Sequence, residues 1–189
     1  MSETTVDLRL AEATDAQCLS ALATHVFFET YATSGIRPAL VRETEAHFSV
    51  SAFHERLGDP RGRTVLAEVA GHLIAFAELS LGARHALLPP GPAAELTRLY
   101  VQSPFLRQRV GRQLLMRAEA LASLEGPSTL WLTAWVGNKR ALAFYASQGY
   151  EQLGSTEYAF EGEAFENRLF AKALRAETAD IVSPRKGPS

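Results

Sequence analysis

Three arginines lie close together between an apolar run and an amphipathic segment. Arg107, Arg109 and Arg112 fall within six residues, after Leu99-Tyr100-Val101 and around Val110, where helical spacing begins. A strand, a short loop and a helix N-terminus form an anion site, because the first N–H groups of a helix have no partner within it. The segment therefore predicts a pyrophosphate site, although an ordinary strand-to-helix turn with a solvated basic face would have the same pattern.

Asn138 and Tyr145 are a second group of residues suited to act on a ligand. Asn138 opens a helical pattern, directly after a predicted strand at residues 129–136 that is rich in residues favoured in strands. Its side chain could cap that helix or bond a ligand lying between two strands. Tyr145 follows seven residues later, two turns along the same helix face. It is either a packed core aromatic or a hydroxyl that takes part in chemistry.

Hydrophobic periodicity indicates the elements that must position these residues. Strands are predicted at residues 6–10, 63–69, 72–81, 94–101, 129–136, 150–160 and 164–173. Helices are predicted at residues 14–31, 40–48, 51–57, 110–124 and 138–148. Thr14 and Gln17 form an expected capping box, and Ala70-Gly71 an expected tight hairpin. This order indicates the α/β (α+β) class with a mainly antiparallel sheet, in one domain over residues 1–174, followed by a disordered tail at 175–189.

Composition argues against several classes of protein. A net charge of -2 lacks the basic excess of a general nucleic-acid binder. No apolar run approaches the roughly 20 residues that span a membrane, and charged residues interrupt the N-terminal segment where a secretory signal would lie. The five histidines show no metal-ligand spacing, and the single Cys18 lies in an apolar helical pattern that predicts a buried thiol. We therefore expect a cytoplasmic protein without metal, nucleic-acid or membrane partners.

The segment from residue 95 to residue 150 resembles a known superfamily. The run Asn138-x-x-Ala141-x-x-Phe144-Tyr145-x-x-x-Gly149-Tyr150 closely resembles the second cofactor motif of the GNAT superfamily of N-acetyltransferases. Leu99-Tyr100-Val101, the basic turn and the helix after it resemble the acyl-CoA motif of that superfamily. The resemblance covers roughly residues 5–174. It implies a GNAT-like mixed sheet flanked by helices on both faces.

The N-terminal half resembles one branch of that superfamily, the polyamine (spermidine/spermine) acetyltransferases. The similar segments are Phe27-Phe28-Glu29-Thr30-Tyr31, His47-Phe48, Leu57-Gly58-Asp59-Pro60 and residues 95–101. The resemblance implies a small primary amine as the acceptor, either polyamine-like or amino-acid-like. Glu29, Tyr31 and His47 are the expected substrate residues, because a carboxylate and aromatic rings suit a cationic amine. A capping or packing role for these residues is the alternative.

The resemblance implies acetyl-CoA as co-substrate, attacked directly by the amine in a ternary complex. The pantetheine arm is expected between the strands at residues 99–101 and 129–136, with a backbone N–H near Leu99 or Tyr100 polarising the thioester carbonyl. Glu95 is the first candidate base and Glu78 the second, unless these carboxylates form surface contacts or salt bridges, and Tyr145 is the candidate acid. The expected cofactor-binding residues are Leu99, Tyr100, Val101, Arg107, Gln108, Arg109, Val110, Gly111, Arg112, Asn138, Ala141 and Phe144.

The phosphate loop departs from the usual pattern of the superfamily, Gln/Arg-x-x-Gly-x-Gly/Ala. Leu106 replaces the polar first residue and Arg109 replaces the first glycine, so that only Gly111 is retained. Arg109 is strained if its position needs a positive φ, and harmless if the position is helical, where its guanidinium can contact phosphate. Two alternatives to an enzyme follow: a regulatory module that binds acyl-CoA, and an interaction domain that has lost cofactor binding. The resemblance also allows a homodimer.

Overall fold

The computed structural model describes residues 5–160 and 163–174. The strands are β1 (Asp7–Leu10), β2 (Gly62–Val69), β3 (His72–Leu81), β4 (Ala93–Val101), β5 (Thr129–Trp135), β6 (Glu151–Phe160) and β7 (Glu163–Ala173). The helices are α1 (Ala16–Tyr31), α2 (Pro38–Phe48), α3 (Val50–Gly58), α4 (Val110–Leu124) and α5 (Lys139–Ser147). The predicted elements are all present within a few residues of their expected bounds. The tail predicted at 175–189 lies outside the described residues.

The start of α1 differs from the predicted capping box. Glu12, rather than Thr14, precedes the short 3₁₀ turn that leads into α1, and its N–H donates to Asp15 Oδ2 at 2.8 Å. Arg9 on β1 donates two further hydrogen bonds of 2.8 Å to the Asp15 carboxylate. The predicted box of Thr14 with Gln17 is wrong, because this arginine from β1 fixes Asp15 in the capping position.

The sheet has the strand order β1-β2-β3-β4-β5-β7-β6, and its neighbours pair antiparallel except β4 and β5. Parallel pairing between β4 and β5 runs only from Ala93 opposite Thr129 to Glu95 opposite Trp131. On the other edge of β4, the register with β3 shifts so that Thr97 is an extra residue. Such a bulge bends and twists its strand. Past this point β4 and β5 continue without pairing each other in the described residues, which leaves a gap in the sheet.

Alternate residues of the central strands face two separate cores. Val65 and Ala67 of β2 belong to the core under α4 and α5, whereas Leu66 belongs to the core under α1, α2 and α3. Fully buried leucines such as Leu66 and Leu114 each stabilise the fold by about 1.5 to 3 kcal/mol. Helices therefore cover both faces of a mixed, mainly antiparallel sheet, which confirms the predicted fold class.

Two further features of the helices bear on the sequence-based expectations. Cys18 is exposed, so the prediction of a buried thiol is wrong. Its neighbour Leu19 turns to the core, and adjacent helix positions point about 100° apart, so Cys18 falls on the outer side of α1. Among the described helices, none combines the length and the apolar character needed to cross a bilayer.

Candidate active site

The unpaired ends of β4 and β5 border a cavity of about 350 Å³. Its lining includes Ala141 and Tyr145 from α5, and Tyr31 and Phe48 from α1 and α2. Since these helices lie on opposite faces of the sheet, the cavity passes through the sheet at the gap. Two ligands that approach from opposite faces can therefore meet inside it.

Tyr145 lies on the wall of this cavity, with 8% of its surface exposed. Its ring packs edge-on against Phe144 and Tyr150, with centroid separations of 5.3 and 5.9 Å. Its hydroxyl has no hydrogen-bond partner among the described residues. Burial raises the pKa of Tyr145 above the ordinary value of 10, so the phenol keeps its proton at neutral pH. The hydroxyl is thus a hydrogen-bond donor available to a ligand in the gap.

The end of α5 holds Tyr145 in place. Gly149 has a φ of 82°, which confirms the left-handed position predicted after this helix. The chain then turns back, and the Tyr150 N–H donates to the Tyr145 carbonyl at 3.1 Å. The Tyr150 hydroxyl donates to Glu119 on α4 at 3.0 Å, and Lys172 on β7 binds the same carboxylate at 2.8 Å. One helix, α4, and one strand, β7, therefore fix the last turn of α5.

Asn138 and Phe144 occupy two other predicted positions on or before α5. Asn138 Oδ1 accepts the Ala141 N–H at 3.1 Å, so this side chain caps the helix, and it also lines the cavity. Phe144 lies beside the start of α4, because a Cβ added to Gly111 would be 3.7 Å from the Phe144 ring. The fold therefore brings together the two segments that the sequence singled out, although they are far apart in the chain.

The edge of β4 that faces the gap carries backbone N–H groups that do not pair with β5. The Gln102 N–H donates to the Ile74 carbonyl on β3 at 3.0 Å. Along an antiparallel ladder the direction of the N–H groups alternates, so the N–H groups of Leu99 and Val101 point to the other edge, toward β5. Leu99 and Tyr100 line the cavity with their side chains, whereas Val101 packs into the core under α4.

The basic turn before α4 has two arginines in the left-handed backbone region. Arg107 has a φ of 61° and Arg109 a φ of 65°, and Arg109 is the residue that directly precedes the first turn of α4. A side chain in this conformation costs roughly 1 to 2 kcal/mol. The Gln108 side chain steadies the loop by donating to the Pro104 carbonyl at 2.8 Å. Of the two possibilities for Arg109, the strained one is therefore what the structure shows.

The two candidate bases differ in their surroundings. Glu95 is half-buried, and burial raises its pKa above 4.5, with Arg98 opposing that shift. Glu78 is only 4% exposed and accepts hydrogen bonds from Arg56 Nε at 2.6 Å and Arg98 Nη1 at 2.8 Å. Neither carboxylate lines the cavity directly, although Arg98, which binds Glu78, does line it.

The three expected substrate residues do not lie together. Tyr31 lines the cavity, and its ring centroid is 5.7 Å from that of Trp135. Glu29 is outside the lining and accepts a hydrogen bond from the Ser103 hydroxyl at 2.7 Å. His47 is exposed on α2 and lies 3.6 Å from the Glu43 carboxylate. Of the three, only Tyr31 is placed to contact a ligand in the cavity.

Several residues of the cavity wall were missed in the sequence, among them Arg37, Glu43, Arg98, Trp135 and Tyr158. The Tyr158 hydroxyl donates to Glu43 Oε1 at 2.8 Å, which connects β6 to α2 across the mouth of the cavity. Burial and this hydrogen bond raise the pKa of Tyr158 to about 12. For Trp135 the sequence did contain a signal. Thr133 and Trp135 are two residues apart on β5, so their side chains lie on the same face of the strand.

In the ranges that the structure describes, no three His, Cys, Asp or Glu side chains are grouped so as to hold a metal ion. The arrangement is a cavity with a phenol and strand-edge N–H groups on one side and aromatic rings on the other, and the basic start of α4 lies beside α5 on the side of the phenol. This combination suits an anionic ligand and an extended chain on the α4–α5 side, with a second ligand opposite.

Comparison with known proteins identifies the arrangement. Residues 27–150 match the model of the acetyltransferase (GNAT) family. An uncharacterised N-acetyltransferase of Lactobacillus delbrueckii subsp. lactis is 23% identical over 155 residues, which cover 82% of this chain and 89% of that protein. Another, from Mycobacterium bovis, is 26% identical over 145 residues, which cover 77% of this chain and 88% of that protein.

Solved structures share the fold. The PaiA N-acetyltransferase of Thermoplasma acidophilum, solved in complex with coenzyme A, has a TM-score of 0.69 at 20% identity and covers 89% of this chain and 99% of its own. The ribosomal-protein-S18-alanine N-acetyltransferase of Escherichia coli has a TM-score of 0.64 at 20% identity, with 94% and 99% covered. With the family match over most of its length, the chain belongs to the GNAT family and is an acetyl-CoA-dependent N-acetyltransferase.

Proposed function

We propose that this enzyme acetylates a small primary amine by direct attack in a ternary complex. The observation that carries the proposal is the cavity through the gap between β4 and β5, which is lined from both faces of the sheet. Acetyl-CoA would enter from the α4–α5 face and the amine from the α1–α2 face. The acceptor is polyamine-like or amino-acid-like. The homodimer, the single domain and the cytoplasmic location stay predictions.

The residues of the α4–α5 face fit a CoA ester. Arg107, Arg109 and Arg112, with Gln108, Val110 and Gly111, would hold the phosphates at the start of α4, where backbone N–H groups and positive charge coincide. The N–H groups of Leu99 and Val101 would pair with the pantetheine arm as an added strand. Asn138, Ala141 and Phe144 complete this wall, whereas Tyr100 packs against Phe48 on the opposite face. When bound, acetyl-CoA supplies an electrophilic thioester and a thiolate leaving group.

The acceptor amine must lose a proton before it can attack. An alkylamine has a pKa of about 10.4, so only about one molecule in a few thousand is neutral at pH 7, a cost of roughly 4 to 5 kcal/mol. We assign the base to Glu95, because its raised pKa brings it closer to the pKa of the amine. Since Glu95 does not line the cavity, the proton passes through a water molecule. Glu78 is the weaker candidate, because Arg56 and Arg98 already occupy its two oxygens.

Tyr145 is proposed to stabilise the leaving sulfur. Its hydroxyl lines the cavity and has no other partner among the described residues. A free thiol has a pKa of about 8.5, so a phenol whose pKa is raised by burial does not fully release its proton to the thiolate. The hydroxyl therefore acts chiefly by donating a hydrogen bond as negative charge develops.

A thiol-release assay tests this function. Acetyl-CoA is offered with polyamines, amino acids and amino-acid amides, and the free thiol is measured together with the acetylated product. In parallel, acetyl-CoA at about 100 times its dissociation constant should stabilise the protein by roughly 2.7 kcal/mol. The proposal fails if acetyl-CoA produces no stabilisation, or if none of the amines increases thiol release above hydrolysis.

A further inference from the structure

Arg98 presents unused hydrogen-bond donors to the acceptor half of the cavity. Its side chain is 19% exposed and lines the cavity wall. Nη1 donates to Glu78 Oε2 at 2.8 Å, and the guanidinium lies over the Phe48 ring at 5.3 Å. No described residue accepts a hydrogen bond from Nε or Nη2, and neither atom is sealed from solvent. A guanidinium in this state is prepared to bind an oxyanion in the cavity.

The carboxylate that binds Arg98 is shared with a second guanidinium. Arg56 and Arg98 share the single carboxylate of Glu78. Glu43 is the one carboxylate among the described lining residues. Glu43 already accepts the Tyr158 hydroxyl and lies near His47.

Glu95 also acts on Arg98, although from outside the lining. A polycation would meet the guanidinium of Arg98 in a narrow cavity, where like charges repel. An acceptor that carries its own negative charge would instead be attracted.

The rest of the acceptor half is aromatic. Besides Tyr31 and Tyr100, the wall contains Trp135, Phe160 and Phe165. Flat apolar walls of this kind accept a planar or branched apolar group, and a cavity of about 350 Å³ is at the small end of ligand sites. Three features of the cavity have to be matched: the gap where the amine attacks, the guanidinium of Arg98 and the aromatic wall. An acceptor with an amine, a carboxylate and a large apolar side chain matches all three.

We propose that the acceptor is a free amino acid with an aromatic or other large apolar side chain, whose carboxylate binds the guanidinium of Arg98. This inference rests on the proposed function and decides between its two acceptor types. Arg98 is then a specificity residue: it selects the acceptor, and Glu78 orients it by holding Nη1.

The test compares acceptors that differ only at the carboxylate. L-phenylalanine, L-phenylalaninamide and phenethylamine are assayed by thiol release, with spermidine as the polycationic comparison. We expect kcat/KM for L-phenylalanine to exceed that for the amide and the amine by about 10- to 100-fold, the value of a charge-assisted hydrogen bond. The amide is the stricter comparison, because its less basic amine is more often neutral. Equal rates, or a preference for spermidine, would overturn the inference.

Variants of the two arginines separate recognition from structure. Arg98→Gln should remove the preference for L-phenylalanine over phenethylamine, mainly by raising KM for the amino acid, and Arg98→Lys should restore part of it. Arg56→Gln is the matched control, because Arg56 binds the same Glu78 carboxylate but does not line this cavity. The control should keep the preference. An equal loss of preference in Arg56→Gln would show a structural effect and overturn the assignment of Arg98.

A binding measurement distinguishes failure of this inference from failure of the proposed function. Trp135 lines the cavity, so the quenching of tryptophan fluorescence reports acceptor binding to the CoA-loaded protein. Tighter binding of L-phenylalanine than of phenethylamine supports the inference, and equal binding overturns it, whether or not the enzyme turns over. Turnover of phenethylamine or spermidine without a carboxylate preference would retain the proposed function and remove the inference.

Discussion

Glu95 lies opposite Trp131 in the last paired position between β4 and β5. Beyond this pair the two strands no longer pair with each other, and the extra residue Thr97 forms a bulge in β4, which stays paired with β3. The half-buried carboxylate therefore stands where the gap begins. Trp131 is itself fixed, because its indole N–H donates to the Ala83 carbonyl at 2.9 Å. The start of the gap is thus a rigid point of the fold next to a titratable group.

Glu95→Gln is expected to slow turnover without weakening the fold. Loss of a general base lowers kcat by about 100- to 10,000-fold. The pKa of Glu95 is raised by burial from 4.5, so the folded state binds this proton more tightly than the unfolded chain does. As the pH rises past 4.5, the wild-type protein therefore loses stability, and the loss is complete above the raised pKa.

The glutamine variant does not titrate, so this pH dependence should disappear from it. Urea unfolding at a pH near 7 and at a pH well below 4.5 measures the effect. The variant should be at least as stable as the wild type at the higher pH. At the lower pH it should have no stability advantage over the wild type. Wild-type turnover in Glu95→Gln would exclude Glu95 as the base.

Tyr145→Phe is expected to lower kcat by about 100-fold, because the leaving sulfur loses a hydrogen-bond donor. Acetyl-CoA binding and the free energy of unfolding should stay unchanged, since no described residue depends on this hydroxyl. Tyr150→Phe is the control: its ring also packs on Tyr145, and its hydroxyl binds Glu119 away from the cavity. Tyr150→Phe should lower the free energy of unfolding by about 1 kcal/mol and leave kcat unchanged. Equal kcat values for the two variants would remove Tyr145 from the mechanism.

Glu78→Gln is expected to lower the free energy of unfolding by about 1 to 3 kcal/mol, because it leaves two partly buried guanidiniums without their counter-charge. Both oxygens of this carboxylate are in use, by Arg56 and Arg98. Glu125→Gln is the comparison, since its ion pair with Arg63 at 2.9 Å is partly exposed and should be worth less than about 1 kcal/mol. Urea denaturation of both variants measures the difference. Similar small losses would mean that Glu78 is not a structural carboxylate.

Substitutions of Arg109 separate backbone strain from phosphate binding. Arg109→Gly relieves a positive φ worth about 1 to 2 kcal/mol but adds about 0.5 to 1 kcal/mol of chain entropy, so its stability should equal or slightly exceed that of the wild type. Arg109→Ala keeps the strain and should be less stable than Arg109→Gly by about 1 kcal/mol. Both variants lose the guanidinium, so both should bind acetyl-CoA about 10-fold more weakly.

Thermal unfolding and acetyl-CoA titrations measure the two effects independently. Unchanged affinity in both variants would show that Arg109 does not contact the phosphates. A glycine variant less stable than the alanine variant would show that the positive φ carries no strain.

Local sequence patterns were sufficient to predict most of the helices and strands, and to recognise the family. The bounds of α4, the hairpin at Ala70-Gly71 and the left-handed Gly149 follow from residues within one or two turns of each other. The motif from Asn138 to Tyr150 could likewise be predicted from local sequence, because a capped helix with a left-handed end is encoded in a short run of residues. These features depend on periodicity and backbone preference, which a single sequence contains.

Contacts between distant segments were decided only by the tertiary structure. Tyr158 binds Glu43 across 115 positions of the chain, and the acceptor half of the cavity is built from α1, α2, β4, β5 and the β6–β7 hairpin. The sequence alone did not show that Glu78 is enclosed by two arginines, that Glu29 and His47 lie outside the cavity, or that Arg109 has a positive φ. Each of these depends on strand order and register, which follow from the packing of the whole sheet rather than from any local pattern.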